Sequence, residues 1–306
     1  MCALPLVEVL IPTYGSQPPQ WWSQVFAHII AENGVSFELS KIRTPQSMMP
    51  DNNKNGVLES KEVHKLSLEE IEDQKKRGEL TDINRVNLTS CFLSGDAEWS
   101  FWIDDDTVPP MGAIGNLLKL KRLFASGIYF LDGKHTPVAY MKQKQRRLYS
   151  SLLNYPHGSV IEVDAVGMGC ALIHRSVFEK IRAEHRVMVR PNGTLLVLHQ
   201  SMFKNNKPCK VGGDGYVQDG VYHMPLSEVP SDDTRPFPYF ALEYSRTEDI
   251  HFCELAANVG IKPVVDTTVV CGHIKTRVIG EDDYKQSLPG ELAKIDADIV
   301  REKVAK

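Results

Sequence analysis

The residues with the greatest chemical potential are three consecutive aspartates, Asp104, Asp105 and Asp106, which close the apolar and aromatic run EWSFWI at 98–103. A buried strand ending in carboxylates delivers them to the carboxyl edge of a sheet, where open α/β folds bind ligands. On an extended chain residues two apart point the same way, so Asp104 and Asp106 are expected to face one ligand. Gathered carboxylates are unfavourable without a cation, and oxygen-rich sites favour Mg²⁺ or Mn²⁺. The competing reading is an acidic turn that caps the next helix. Glu248 and Asp249 form a second acidic pair, in the first turn of a helix predicted over 247–260 with Thr247 as N-cap. Carboxylates there complement the helix dipole, or one of them serves as a general base toward a hydroxyl. The helix end lowers the pKa of such a base, so its strength depends on burial. His273, beside Gly272 at the end of KPVVDTTVVCGH, is either a loop ligand for a metal or a structural imidazole.

Two further features carry weaker signals. VGMGC at 166–170 reads as part of a strand rather than a phosphate loop, because it does not open a helix; its glycines suit a close backbone approach. KQKQRR at 142–147 is a solvated charge run or a phosphate contact.

Positioning these residues requires alternating elements. LVEVLIPTY (6–14) reads as a buried strand closed by proline, QWWSQVFAHIIAENG (20–34) as a helix, and VSFEL (35–39) as a second strand. A capping-box pattern at Ser67 and Glu70 introduces a polar helix, and 81–95 reads as a better one with Ile83, Val86, Cys91 and Leu93 inward. The strand at 98–103 follows, then a helix opened by Pro109 and Pro110, then a strand near 127–130. This alternation predicts an α/β fold with a mixed, mainly parallel central sheet flanked by helices. PVAYMKQKQRRLYSSLL and SVIEVDAVGMGCALIH read as strands, and 176–184 as a helix. Residues 186–240 are rich in Gly, Pro, Asp and Asn, a length of loop that usually serves binding. That segment, with the aromatic PFPYF at 236–240, is the expected acceptor-binding lid, and 281–306 a polar C-terminal helix after a domain over 1–280, its nucleotide-binding half about 1–130 and its acceptor half about 131–280.

Composition narrows the classes. The 306 residues are 42% hydrophobic and 24% charged, which excludes disordered, collagen-like and coiled-coil chains. A formal charge of −4 gives no bulk attraction for nucleic acid. The apolar run AVGMGCALI is far shorter than a membrane span, and Glu8 interrupts an N-terminus that lacks a basic start. Six cysteines without a CxxC motif read as reduced thiols, so a cytoplasmic setting is expected.

Taken in order, VLIPTYG (9–15), FWIDDDTVPP (101–110), ASGIYFLDGKHTPVAY with VDAVGMGCALIHRSVFEKI (125–140 and 163–181) and TEDIHFCELAANVGIKPVVDTTVVCGHI (247–274) resemble the GT-A fold glycosyltransferases of the family 2 type. INRVNL (83–88) resembles a variant of that group's Ala-Arg-Asn helix, and its spacing leaves Asn87 without a matching role. The resemblance implies a nucleoside-diphosphate-sugar donor, UDP- or GDP-linked, with Mn²⁺ or Mg²⁺. It implies that Pro12, Thr13 and Tyr14 line the nucleotide pocket, that Arg85 helps hold the donor, and that Gly167 and Gly169 flank its sugar. Asp104 and Asp105 would contact the donor, with Asp104, Asp106 and His273 holding the metal. Asp249 or Glu248 would be the base. The acceptor is a hydroxyl compound such as a glycan, a small molecule, a protein or a hydroxylated DNA base. No membrane helices of the processive synthases are present in the sequence. A nucleotidyltransferase and a non-catalytic nucleotide- or glycan-binding protein are the alternatives; the first ordinarily carries a basic Gly-rich loop near its first strand, and IPTYGSQPPQ has no Lys or Arg.

Overall fold

The structure, a computed structural model, describes residues 5–12, 25, 27–28, 42–43, 79–131, 136–143, 149–189, 195–204, 207–208, 216–218, 221–223, 227–229, 235–241 and 246–274. The chain divides into a unit Met1–His273 and a second unit Ile274–Lys306. The expected strand at 35–39, the helix near Ser67 and the tail helix at 281–306 lie outside the described residues. Of the helix expected at 20–34, Val25, Ala27 and His28 are helical.

Short apolar runs make the first strands: β1 (Val7–Leu10), β2 (Ile42–Arg43), β3 (Trp99–Ile103) and β4 (Thr107–Val108). Between β2 and β3 stands α1 (Glu79–Ser94), and after β4 come α2 (Ala113–Lys119) and β5 (Phe124–Ile128). Then follow β6 (Ala139–Lys142), β7 (Tyr149–Ser151), β8 (Val160–Glu162), β9 (Ala165–Val166), β10 (Cys170–His174) and α3 (Arg175–Glu184). The span expected to be loop contains β11 (His185–Val189), β12 (Leu195–His199), β13 (Phe203–Lys204), β14 (Lys207–Pro208), β15 (Tyr216–Gln218), β16 (Val221–His223) and β17 (Ser227–Glu228). The unit's last elements are α4 (Glu248–Asn258), β18 (Val264–Val270) and β19 (Gly272–His273).

Seven strands form the central sheet in the order β2-β1-β3-β10-β5-β18-β8. The sheet is mixed, with five of its seven strands pointing the same way. β2, β1 and β3 run parallel, as do β5 and β18, but β10 enters antiparallel between β3 and β5, and β8 closes one edge antiparallel to β18. CALIH and FASGI are apolar on both faces, a pattern that reports burial and is silent about strand direction.

α1 departs from the expected inward face. Ile83 is exposed, whereas Arg85, Leu88, Thr89 and Phe92 are buried, the i, i+3, i+4, i+7 stripe of a helix seated on a core. Leu88 and Phe92 join Trp102, Phe178, Phe240 and Phe252 in one apolar cluster. Arg175, at the start of α3, clasps the end of α1. Its Nε donates to the Ala97 carbonyl at 2.8 Å, Nη1 to Leu93 at 2.9 Å, and Nη2 to Phe92 and Gly95 at 2.8 and 2.9 Å. These are carbonyls at and just beyond the helix end, where a cation also complements the dipole. At the end of the 186–240 segment Tyr239 and Phe240 are buried in the core, with Phe240 stacked on Phe252 at 4.7 Å.

Candidate functional site

Strand direction brings the polar residues to one sheet edge. β3, β5 and β18 end there and β10 begins there, because Cys170 pairs with Ile103 and Val270 with Ile128. Asp104 therefore follows β3, Tyr129 follows β5, Gly169 precedes β10 and His273 lies just beyond β18. Pro12, after β1, is buried beyond the end of its strand, which runs parallel to β3. Thr13 and Tyr14 lie outside the described residues.

The three aspartates do not continue the strand. Thr107 N–H donates to the Asp104 carbonyl at 3.0 Å, so 104–107 is a turn and the alternation of an extended chain does not apply. As a result Asp104 and Asp106 take different partners. Asp104 Oδ1 accepts from Arg85 Nη2 at 2.7 Å. Asp106 Oδ1 lies 3.0 Å from His273 Nε2. The second contact is built by β4 and β19, which pair antiparallel with Thr107 opposite His273. The Nδ1 of His273 meets the Phe130 carbonyl oxygen at 2.9 Å. An imidazole that donates from Nδ1 to a carbonyl leaves its lone pair on Nε2 when neutral. That lone pair faces a carboxylate, so either a second proton on the ring or a cation between them satisfies the pair.

Arg85 is the centre of the other half. Its side chain is 2% exposed, and its Nε lies 3.4 Å from Asp249 Oδ1 and 3.7 Å from Glu248 Oε1. The guanidinium sits 5.9 Å from the ring centres of Trp102 and of Phe240. Three carboxylates around one cation hold Arg85 charged against the opposing effect of burial. Its Nε and Nη1, and Oδ1 of Asp249, are buried without a hydrogen bond among the described residues. Asp249 Oδ2 accepts from Met168 N–H at 3.2 Å. Burial pushes the Asp249 carboxyl up to about 8; Glu248 and Asp104 reinforce this and Arg85 opposes it. The helix terminus does not set this acid; the low-dielectric floor does. Thr247 is the N-cap residue of α4, but its side chain makes no cap bond.

The glycine segment is a break between β9 and β10, not strand interior. A Cβ at Gly167 would lie 2.0 Å from Tyr129 Oη, and one at Gly169 would lie 3.0 Å from Asp104 Oδ2. The absence of side chains thus lets Tyr129 and Asp104 close over the backbone. Tyr129 accepts from Gly169 N–H at 3.1 Å, and its ring meets His273 edge-on at 5.7 Å. Burial and the nearby Asp104 and Asp249 raise its phenol well above the ordinary value. Sequence reasoning missed Tyr129; its only signal was an aromatic at the end of the strand opposite the glycines.

No family model and no curated protein matches the chain. Among solved structures, A197 from STIV aligns at 12% identity over 89% of this chain and 86% of that one, with a TM-score of 0.40. GalNAc-T7 with UDP, GalNAc and Mn²⁺ aligns at 11% identity over 97% of this chain and 55% of that one, also at 0.40. The chain thus spans about half the length of the second structure. No helix among the described residues is long and apolar enough to cross a membrane.

Of the residues singled out in the sequence, one edge gathers Arg85, Asp104, Glu248 and Asp249, with Gly167 and Gly169 beside them and Asp106 with His273 across the turn. Asp105 is half-buried in that turn. Lys142, from the basic run, pairs with Glu254 at 2.9 Å, and residues 144–147 lie outside the described ones.

Proposed function

We propose that the chain is a metal-dependent glycosyltransferase of GT-A-like fold that moves a sugar from a nucleoside-diphosphate sugar to a hydroxyl acceptor. One observation carries the reading. A buried guanidinium with uncommitted N–H groups stands among three carboxylates, next to a fourth carboxylate that shares an imidazole. Buried polar atoms without partners are costly, and sites keep them for a ligand. Arg85 is placed to donate to donor oxygens, and Asp249 Oδ1 to accept the acceptor's proton. A carboxyl raised toward neutrality is a better base than an ordinary one.

The residues present fit a divalent cation. Asp106 and His273 form a mixed oxygen and nitrogen donor pair of the kind Mn²⁺ accepts. Among the described residues no group of three His, Cys, Asp or Glu side chains gathers, so the chain would supply two donors and the diphosphate and water the others. Asp104, engaged by Arg85, would contact the donor. A bound cation supplies charge stabilisation to the departing diphosphate. Everything else falls to the protein: Tyr129 holds the Gly169 backbone in place, and the Trp102 and Phe240 floor excludes water beneath Arg85.

The test is incubation with a panel of UDP- and GDP-sugars and Mn²⁺, following nucleoside diphosphate release. Slow donor hydrolysis is expected, with Asp106→Asn abolishing the metal-dependent part. Asp249→Asn should lower kcat by about 10²–10⁴ while donor affinity changes little. Release of pyrophosphate would instead mark a nucleotidyltransferase, and binding without turnover a non-catalytic protein; either outcome overturns the proposal.

A further inference from the structure

A second group of polar side chains gathers away from the acidic sheet edge, where β11, β12 and α4 meet. His185 opens β11 directly after α3, and its register partner across the antiparallel pair is His199, the last residue of β12. The two imidazole rings stand 5.1 Å apart between centres, with their planes at 78°. Each ring has its Nδ1 engaged. That of His185 lies 2.8 Å from the Ile181 carbonyl oxygen, to which it can only donate. That of His199 lies 2.7 Å from Ser201 Oγ, nearer than the Ser201 backbone nitrogen at 3.2 Å, so a proton on Nδ1 makes the shorter bond. Both arrangements leave the lone pair on Nε2, and a group holding the other ring nitrogen is the support that metal-bound histidines have. Asn258, the last residue of α4, brings its amide to 3.4 Å from His185 Nε2. That is longer than the roughly 2.7–3.2 Å of an ordinary N–H hydrogen bond. Metal–ligand bonds of about 2.0–2.1 Å at tetrahedral angles would instead set two donor atoms about 3.4 Å apart and two imidazole centres about 5.2 Å apart.

We propose that His185 Nε2, His199 Nε2 and, after a half-turn of its amide, Asn258 Oδ1 bind a zinc-type transition-metal ion, with water completing the shell. An amide presents either its oxygen or its nitrogen on one side by that half-turn. Imidazole suits Zn²⁺, Ni²⁺ and Cu²⁺, whereas Mg²⁺ prefers carboxylate, carbonyl and water. The three donors are neutral. Glu184, next to His185 in the chain, accepts from Gln200 Nε2 and sets a negative charge beside the ion. The ion would tie β11 and β12 to α4, whose other end carries Glu248 and Asp249. This site is independent of the transferase reading, because it uses none of the side chains at the sheet edge.

Titration of the untagged full chain with Zn²⁺ against a chromophoric chelator tests it, in an Asp106→Asn background that removes the sheet-edge carboxylate. That chain should bind Zn²⁺, and excess Mg²⁺ should not displace the ion. Adding His199→Ala should weaken binding by at least about tenfold, since losing a ligand costs no less than losing its support. Adding Asn258→Asp should tighten it about tenfold, because a carboxylate oxygen takes the amide's place and brings charge. An Asn258 that only donated a hydrogen bond to His185 would give no such gain. His199 is half-buried and Asn258 exposed, so both variants should keep the melting temperature of their parent in EDTA. No Zn²⁺ uptake by the Asp106→Asn chain would overturn the proposal. So would uptake that His199→Ala leaves unchanged, affinity that Asn258→Asp fails to raise, or displacement by Mg²⁺.

Discussion

Replacing Arg85 by Met removes the buried cation that three carboxylates share and keeps most of the side-chain volume. Each charge pair within 4 Å is worth about 4 kcal/mol gross at an effective dielectric near 20, and the cost of burying the guanidinium offsets much of that. Removing one partner of a buried ion pair costs about 3–5 kcal/mol net, because the remaining charge stays uncompensated. Asp104, Asp249 and Glu248 are 26%, 17% and 13% exposed, so water relieves them only in part. The loss is also expected to depend on pH. Without Arg85 the Asp249 carboxyl loses the charge that opposes its upward shift and rises further above its unfolded value near 4, so between those limits the folded state binds more protons than the unfolded one. Stability then falls as pH rises and is regained as pH falls. Asp249 already behaves this way, being pushed up to about 8 with Arg85 in place. Urea unfolding in EDTA at pH 8.5 and 5.5 measures both effects. With a urea slope of about 3 kcal/mol/M the midpoint should drop by roughly 1–1.7 M at pH 8.5. At pH 5.5 the deficit should shrink by at least about 1 kcal/mol. The same deficit at both pH values, or a total below about 1 kcal/mol, would refute the view that Arg85 compensates buried ionised carboxylates.

Other consequences follow from single interactions. Arg175→Ala leaves four carbonyls at the end of α1 without their donor and should cost about 2–4 kcal/mol, read as a lower melting temperature; Arg175→Lys should recover part of it, since an ammonium cannot fork to all four. Gly167→Ala puts a methyl on the Tyr129 hydroxyl and should cost about 1–3 kcal/mol by overpacking, with a changed near-ultraviolet circular dichroism signal as Tyr129 moves. Burial raises the Glu254 carboxyl, but Arg246, Lys142 and Tyr149 outweigh it, so its pKa is lowered. Its contribution is then fully present above the ordinary carboxylate value and lost as pH falls. Glu254→Gln should therefore lower the melting temperature at pH 7 and flatten its decline between pH 5 and 3.

The carboxylates, the acidic helix start and the late histidine were legible because each stands at an element boundary that the hydrophobic pattern marks. WSFWI stops at Asp104, and the helix at 248–258 starts at the acidic pair. What the pattern hid were relations across the sheet. Arg85 entered only through the resemblance, because the helix pattern set Ile83, Val86, Cys91 and Leu93 inward; it occupies the inner stripe with Leu88 and Phe92, compensated by residues far away in the chain. Tyr129 and Gly167 meet only because β10 inserts antiparallel beside β5, a direction that no local propensity encodes. The turn at 104–107 hid in the same way: the run of aspartates shows charge but not the hydrogen bond that points successive side chains to different partners. The 186–240 span reads as loop because its strands are short and separated by Gly, Pro and Asn, while its aromatics at 239 and 240 belong to the core.

The charges at the sheet edge decide what can bind there. Among the described residues, Asp104, Glu248 and Asp249 set three carboxyls around the guanidinium of Arg85. Asp104 and Glu248 already outnumber the one guanidinium, so this cluster is net negative with Asp249 protonated or ionised. Under the proposed transfer a phosphate-bearing donor would meet a net negative cluster here, and a cation held by Asp106 and His273 would offset it. Chelation should therefore abolish the nucleoside diphosphate release expected of the proposed transferase; release that continued unchanged in EDTA would contradict the assignment of a cation to Asp106 and His273.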